Sequence, residues 1–144
     1  MSSVRAKAVC VIRRGDAVLL IPGYDEVREI GFFIPPGGGV EFGEHSSQTV
    51  VREVMEELGV DVTGAQLLGI FENIFEYRGR PEHEVIFAYS ASFSDATLYE
   101  RDRFEGVESN HARFVAEWVD LESFATEENV LFPEGLLSLL RGGA

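Results

Sequence analysis

The stretch GGVEFGEHSSQTVVREVMEELGV, residues 38–60, decides how the chain is read. Its second half runs without glycine or proline and stops at Gly59, a residue that accepts the left-handed backbone wanted at a helix end. Ser46 stands where an N-cap hydroxyl is expected, so the spacing predicts a helix over residues 47–58. At about 100° per residue, Glu57 and Glu56 lie about 40° and 60° to either side of Glu53, placing three carboxylates on one face. Val51, Val54, Met55 and Leu58 recur at i, i+3, i+4 and i+7 on the opposite side, the pattern of a face that enters a core.

Like charges at this spacing repel by a few tenths of a kcal/mol per pair on an isolated helix. The cluster is therefore either a solvated acidic surface or a site for a hard cation such as Mg²⁺, which takes oxygen ligands and keeps room for water and phosphate. The surroundings favour a site. Upstream lies Pro35-Pro36-Gly37-Gly38-Gly39, expected to be irregular, whose exposed backbone can approach a ligand closely; Glu44 follows, and Arg52 sits beside the acidic face.

Further out, residues 4–12 and 17–21 read as β-strands joined in a hairpin at Arg14-Gly15-Asp16, followed by a charged loop through Glu29. Residues 66–77, 84–93 and 114–119 read as strands, the first two joined by a turn at residues 77–81. Residues 95–113 read as a polar loop, and 133–141 as a final helix with Pro near its first turn and Gly142 at its end. Mixed strands and helices without repeats or linkers indicate an α/β fold with a mixed sheet, as a single domain over residues 1–144.

Composition bounds the function. The chain of 144 residues is 45% hydrophobic and 26% charged, within the range of globular proteins. Twelve Lys and Arg against 25 Asp and Glu give a net charge of −13, which excludes a basic nucleic-acid footprint and suits a carboxylate site that recruits divalent cations. The single cysteine, Cys10, permits no intrachain disulfide and reads as a small core residue in a reducing compartment. No run approaches the roughly 18 apolar residues of a membrane helix, and the N-terminal run is broken by Lys7, Arg13 and Arg14, so the expected location is the cytoplasm with no membrane partner.

Read together, residues 38–60 resemble the Nudix box, Gly-x5-Glu-x7-Arg-Glu-U-x-Glu-Glu-x-Gly-U with U aliphatic. Gly38, Glu44, Arg52, Glu53, Val54, Glu56, Glu57, Gly59 and Val60 each fall on a motif position. The resemblance, to MutT-like Nudix hydrolases, implies an α/β/α sandwich with a mixed β-sheet and the box as loop, helix and loop. It also implies that Glu53, Glu56 and Glu57 hold Mg²⁺ or Mn²⁺, joined by a backbone carbonyl at Gly37 or Gly38, with Arg52 and Glu44 orienting them. Gly39 completes the glycine loop against the substrate. Water would attack a phosphorus of a nucleoside diphosphate linked to another moiety, a small-molecule nucleotide such as a dinucleoside polyphosphate or nucleotide sugar.

A base completes such a site. Glu53 or a later carboxylate would serve, and among Glu105, Glu108 and Glu117 the preferred residue is Glu108, in a polar loop before the strand at 114–119. On the substrate side, Tyr77 occupies a position associated with diadenosine polyphosphate hydrolases, and Phe75 stands where many ADP-ribose hydrolases have proline, which counts mildly against ADP-ribose. His83 and Glu84 flank the turn at Gly79, and Glu84 joins Tyr77 as a substrate-side candidate. Phe32 and Phe33 either stack on a base or enter the core. Family members are often homodimers; Leu136, Leu137, Leu139 and Leu140 are expected to pack within the domain instead. Two other functions stand beside this one: a pyrophosphatase that cleans nucleoside triphosphate pools, and a nucleotide-sensing module without turnover, which the complete set of box carboxylates disfavours.

Overall fold

In the computed structural model, which describes residues 2–125 and 129–142, the first strand sets the architecture. Along β1 (Val4–Val11) successive side chains point to opposite faces: Ala8 and Cys10 enter one hydrophobic core, Val9 and Val11 another. β1 lies inside a mixed sheet of order β5-β1-β7-β6, parallel to β7 (Arg80–Phe93) and antiparallel to β5 (Gly37–Gly39). β6 (Val62–Tyr77) closes that sheet by pairing with β7 through the two-residue turn Arg78-Gly79, both at positive φ as a tight hairpin requires.

At Ile12 the chain leaves this sheet for a second, antiparallel one. β2 (Arg13–Arg14) pairs with β3 (Ala17–Asp25), which continues through β9 (Arg113–Asp120) to β8 (Arg103–Val107). β4 (Ile30–Ile34) pairs with the outer half of β3. The expected hairpin is thus confined to Arg13–Arg14 against Ala17–Val18, because β5 and β7 already occupy both edges of β1. The mixed α/β class holds, with its strands divided between two sheets.

Helix α1 (Ser46–Leu58) covers the first core with Val50, Val54 and Leu58, while α2 (Leu136–Leu140) and a 3₁₀ turn at Leu121–Ala125 close the second with Leu136, Leu140, Leu121 and Phe124. The four C-terminal leucines do pack inward to different depths: Leu136 and Leu140 are buried, Leu137 and Leu139 half-buried. Gly59 ends α1 at φ 68°, donating to the Met55 carbonyl at 2.9 Å.

Several expectations change. The N-cap is His45, not Ser46, whose hydroxyl is bonded to Tyr89 Oη at 2.6 Å. The buried stripe of α1 is centred on Val54 with Val50 and Leu58; Val51 is half-buried and Met55 exposed, because the helix is rolled so that Glu53 and Glu57 on the other flank are half-buried too, while Glu56 stays exposed. The proline-glycine run is irregular only at its prolines. Gly37–Gly39 forms a strand, with a Cβ at Gly37 overlapping the Ala8 carbonyl, so glycine is what permits the approach. The loop expected after Pro22-Gly23 is shorter, since β3 runs to Asp25 and leaves only residues 26–29 as a turn. Residues 95–113 hold a 3₁₀ turn (Ala96–Glu100) and β8, in which Phe104 alone is buried among charged neighbours. The last helix starts at Leu136 rather than 133, after Gly135 at φ 101°.

Candidate active site

The site begins with one cation. Arg52 projects from α1 into a ring of acceptors: Nε and Nη2 donate to the two oxygens of Glu44 at 2.8 and 3.0 Å, Nη1 donates to Glu53 at 2.9 Å and Glu56 at 3.1 Å, and Nη2 also donates to the Gly39 carbonyl at 3.0 Å. The guanidinium is thereby held firmly in its charged form, chiefly by Glu44. Glu44 accepts from Thr49 Oγ1 at 2.7 Å as well, and these bonds, led by that from Arg52, bring its carboxyl down to about 2.

The glycine strand supplies the facing wall. Gly37 N–H donates to Glu57 Oε1 at 2.9 Å, and a Cβ on Gly38 would stand 2.5 Å from the Glu53 carboxyl carbon. Glycine at 38 therefore leaves the space that the Glu53 carboxylate fills. Burial pushes Glu57 up to about 7 against the pull of the Gly37 N–H, with the charges of Glu53, Glu108 and Glu56 adding to the rise. Burial also raises Glu53, opposed by Arg52.

A cleft of about 390 Å³ opens from this wall between the two sheets. Gly37, Glu57 and Glu108 all line it, Gly37 bonded to Glu57 and the charge of Glu108 acting on Glu57. Phe32, Phe75, Tyr77 and Phe132 form an aromatic wall, with Phe32 edge-on to Tyr77 at 5.9 Å and Phe75 tilted against Phe132 at 5.1 Å between centroids. Burial raises the Tyr77 hydroxyl, and Arg78 lies over its ring at 5.0 Å. Glu84 is buried in the same cleft, paired with Lys7 at 3.0 Å.

The structure thus brings together Arg52, Glu44, Glu53, Glu56 and Gly39 in one network, and Gly37, Glu57, Glu108, Tyr77 and Glu84 around one cleft; Gly38 joins the two through Glu53 and Gly37. Glu105 lies outside that cleft, in a shallow depression beside Glu56 and Gly59, and Glu117 lies in neither. Phe33 packs into the second core against Phe124, whereas Phe32 faces the cleft. His83 bonds to Glu72 at 2.8 Å. Sequence reasoning missed Arg5 and Lys7. Their signal was in β1, where one face reads Arg5, Lys7, Val9, Val11 and so changes from charged to apolar along its length, as a strand does when it runs from a cleft into a core.

The donors suit a divalent cation: they are hard carboxylate oxygens beside a backbone cradle that a Cβ would fill, and the half-buried Glu57 is surrounded by like charges that a cation would offset. Among the described residues no three such side chains already converge on a point. Glu53 and Glu56 are turned onto Arg52 and Glu57 onto Gly37.

The family model described as the NUDIX domain matches residues 3–140. Nudix hydrolase YvcI of Bacillus subtilis, described as uncharacterized, is 36% identical over 67 residues, 46% of this chain and 40% of that protein. Human diphosphoinositol polyphosphate phosphohydrolase 2 is 42% identical over 72 residues, 48% of this chain and 38% of that protein. The chain therefore spans less than half the length of these curated relatives. A crystal structure of a MutT NUDIX hydrolase from Burkholderia pseudomallei superposes with a TM-score of 0.61 at 28% identity, covering 84% of this chain and 86% of that one. With the domain match running across nearly the whole chain and the box seated on α1 and its glycine strand, the protein belongs to the Nudix family.

Proposed function

We propose that this chain is a pyrophosphohydrolase that cleaves a nucleoside diphosphate linked to another moiety. The observation that carries the reading is the continuity from the Arg52 carboxylate network, through Gly38 and Glu57, into a cleft walled by aromatic rings. Aromatic rings receive a planar base, and hard carboxylates beside them suit the phosphates' metal. The net charge of −13 speaks for a small-molecule substrate over nucleic acid. We read residues 1–144 as one catalytic domain acting in the cytoplasm, with its cleft between the two sheets.

Glu53, Glu56 and Glu57 would hold Mg²⁺ or Mn²⁺ with a backbone carbonyl of Gly37 or Gly38. Such an ion neutralises phosphate oxygens and makes a bound water more acidic. Arg52, fixed by Glu44, holds the carboxylates of Glu53 and Glu56, and Glu53 lies against Gly38. Glu57 is positioned by the Gly37 N–H. Glu108, which lines the cleft with Glu57 and whose charge acts on it, accepts the proton of the attacking water. As the water oxygen bonds to phosphorus, the bond from phosphorus to the bridging oxygen breaks, and that oxygen leaves with the second phosphate.

The test is a hydrolysis screen with Mg²⁺ over dinucleoside polyphosphates, nucleotide sugars, ADP-ribose, NADH and nucleoside triphosphates, with Glu57→Gln as control. One class turned over by the wild type and lost in the variant supports the reading. Turnover that is unchanged in Glu57→Gln, or that needs no divalent cation, overturns it.

A further inference from the structure

Four polar or charged residues are buried among the described ones: Asp25, Thr49, Asn73 and Glu84. Three have evident structural work. Asp25 accepts from the N–H groups of Val27, Arg28 and Arg78, Thr49 donates to Glu44, and Asn73 exchanges hydrogen bonds with the Glu134 backbone. Glu84 differs. Among the described residues its one partner is Lys7, whose Nζ lies 3.0 Å from Oε2, and both side chains line the cleft. No fully enclosed side-chain oxygen or nitrogen there lacks a hydrogen-bond partner, so Glu84 Oε1 is open to the cleft rather than sealed in protein.

We propose that Glu84, held by Lys7, is a specificity residue that accepts a hydrogen bond from a sugar hydroxyl near the pyrophosphate and turns away a phosphate monoester at that place. This rests on the pyrophosphohydrolase reading and sharpens it. Lys7 stands opposite Gly39 across β1–β5, and Glu84 stands opposite Arg5 on the far side of β1, so the pair continues the cleft wall from the Gly39 end of the glycine strand. A ligand with its diphosphate at the glycine strand and its sugar extended along β1 would bring a hydroxyl to this pair, which lines the same cleft. A carboxylate oxygen accepts a hydroxyl proton well and repels a phosphate dianion. The lysine that could have received the dianion is already engaged. Apart from Glu57 and Glu108, the cleft sets Arg5, Lys7 and Arg28 against four carboxylates, leaving no cationic excess for a ring that bears many phosphates. The substrate class is therefore a sugar-bearing diphosphate with free hydroxyls, not a polyphosphorylated ring.

The experiment compares ADP-ribose with its 2′-phosphorylated counterpart, as kcat/KM with Mg²⁺ and as Kd by calorimetry with Ca²⁺, in wild type, Glu84→Gln and Lys7→Met. Wild type is expected to favour the free hydroxyl by on the order of 10–100-fold. Glu84→Gln, which keeps the size and one acceptor oxygen, brings the ratio to within about threefold while melting near the wild-type temperature. Lys7→Met keeps the preference, since the carboxylate remains. An unchanged ratio in Glu84→Gln overturns the proposal, as does a wild type that cleaves ADP-ribose without preference. So does a wild type that hydrolyses other diphosphates yet binds neither member of the pair. A wild type that neither binds nor cleaves any diphosphate in the screen overturns the pyrophosphohydrolase reading and this proposal with it.

Discussion

Arg52 grips Glu44 through two bonds, Nε to Oε2 and Nη2 to Oε1, while its remaining nitrogen reaches Glu53 and Glu56. The planar fork matches the carboxylate, so its direction is fixed before any ligand arrives. A lysine keeps the charge and loses the fork. Arg52→Lys is expected to lower kcat/KM on the order of 10–100-fold, the cost typical of disturbing residues that orient metal ligands. Glu44→Gln, which leaves one acceptor oxygen, should act in the same direction with smaller effect. Steady-state kinetics beside thermal melts check this: Arg52→Lys within twofold of wild type would show that the fork orients nothing the reaction uses.

Two glycines make opposite predictions. A Cβ at Gly38 would meet only the end of the Glu53 side chain, which can swing aside, whereas a Cβ at Gly106 would stand 2.6 Å from the Glu57 backbone oxygen and overlap the Phe114 ring. Gly38→Ala should therefore melt close to wild type and lose most activity, because Glu53 is displaced from the cradle. Gly106→Ala should lose about 1–3 kcal/mol of stability, since β8 can no longer sit against α1. A melt and an activity assay on both variants separate the two; equal loss of stability would contradict the argument.

The parts legible in the sequence are those set by local chemistry. The helix at residues 47–58, its stop at Gly59 and the turn at Arg78-Gly79 follow from spacing and from residues that tolerate positive φ. Arg52, Glu44, Glu53 and Glu56 meet because they sit on one helix and the loop before it. What escaped depends on partners remote in sequence. β5 is a strand only because β1 offers it an edge, and β8, with Phe104 alone among charged residues, only because β9 lies beside it. The change of sheet at Ile12 has no local signal, since both strands alternate in the same way. Arg5, Lys7 and Asp25 reach the cleft through sheet register, which spacing along the chain does not reveal.

Cys10 is fully buried in the first core, and burial pushes its thiol up to about 12. The thiolate is the reactive form, so the folded protein should react with a thiol reagent at neutral pH far more slowly than the unfolded chain. Labelling in buffer and in denaturant, followed by mass spectrometry, checks this. Rapid labelling without denaturant would place Cys10 elsewhere.

Asp25 ties two turns together, accepting from Val27 and Arg28 on its own turn and from Arg78 N–H on the β6–β7 turn at 3.1 Å. Burial alone would raise its carboxyl, but the three N–H donors outweigh that and hold it below its ordinary value of 3.8. A carboxyl lowered on folding adds stability above its unfolded value and loses it as the pH falls through the folded one. Asp25→Asn keeps the shape and removes the charge. Its stability deficit relative to wild type should be complete at pH 7 and still complete at pH 5, and should shrink once the pH drops below about 4. Denaturant melts of both proteins across that range measure the gap directly. A gap that closes between pH 7 and 5, or widens in acid, would mean that the carboxylate is not held by these three donors.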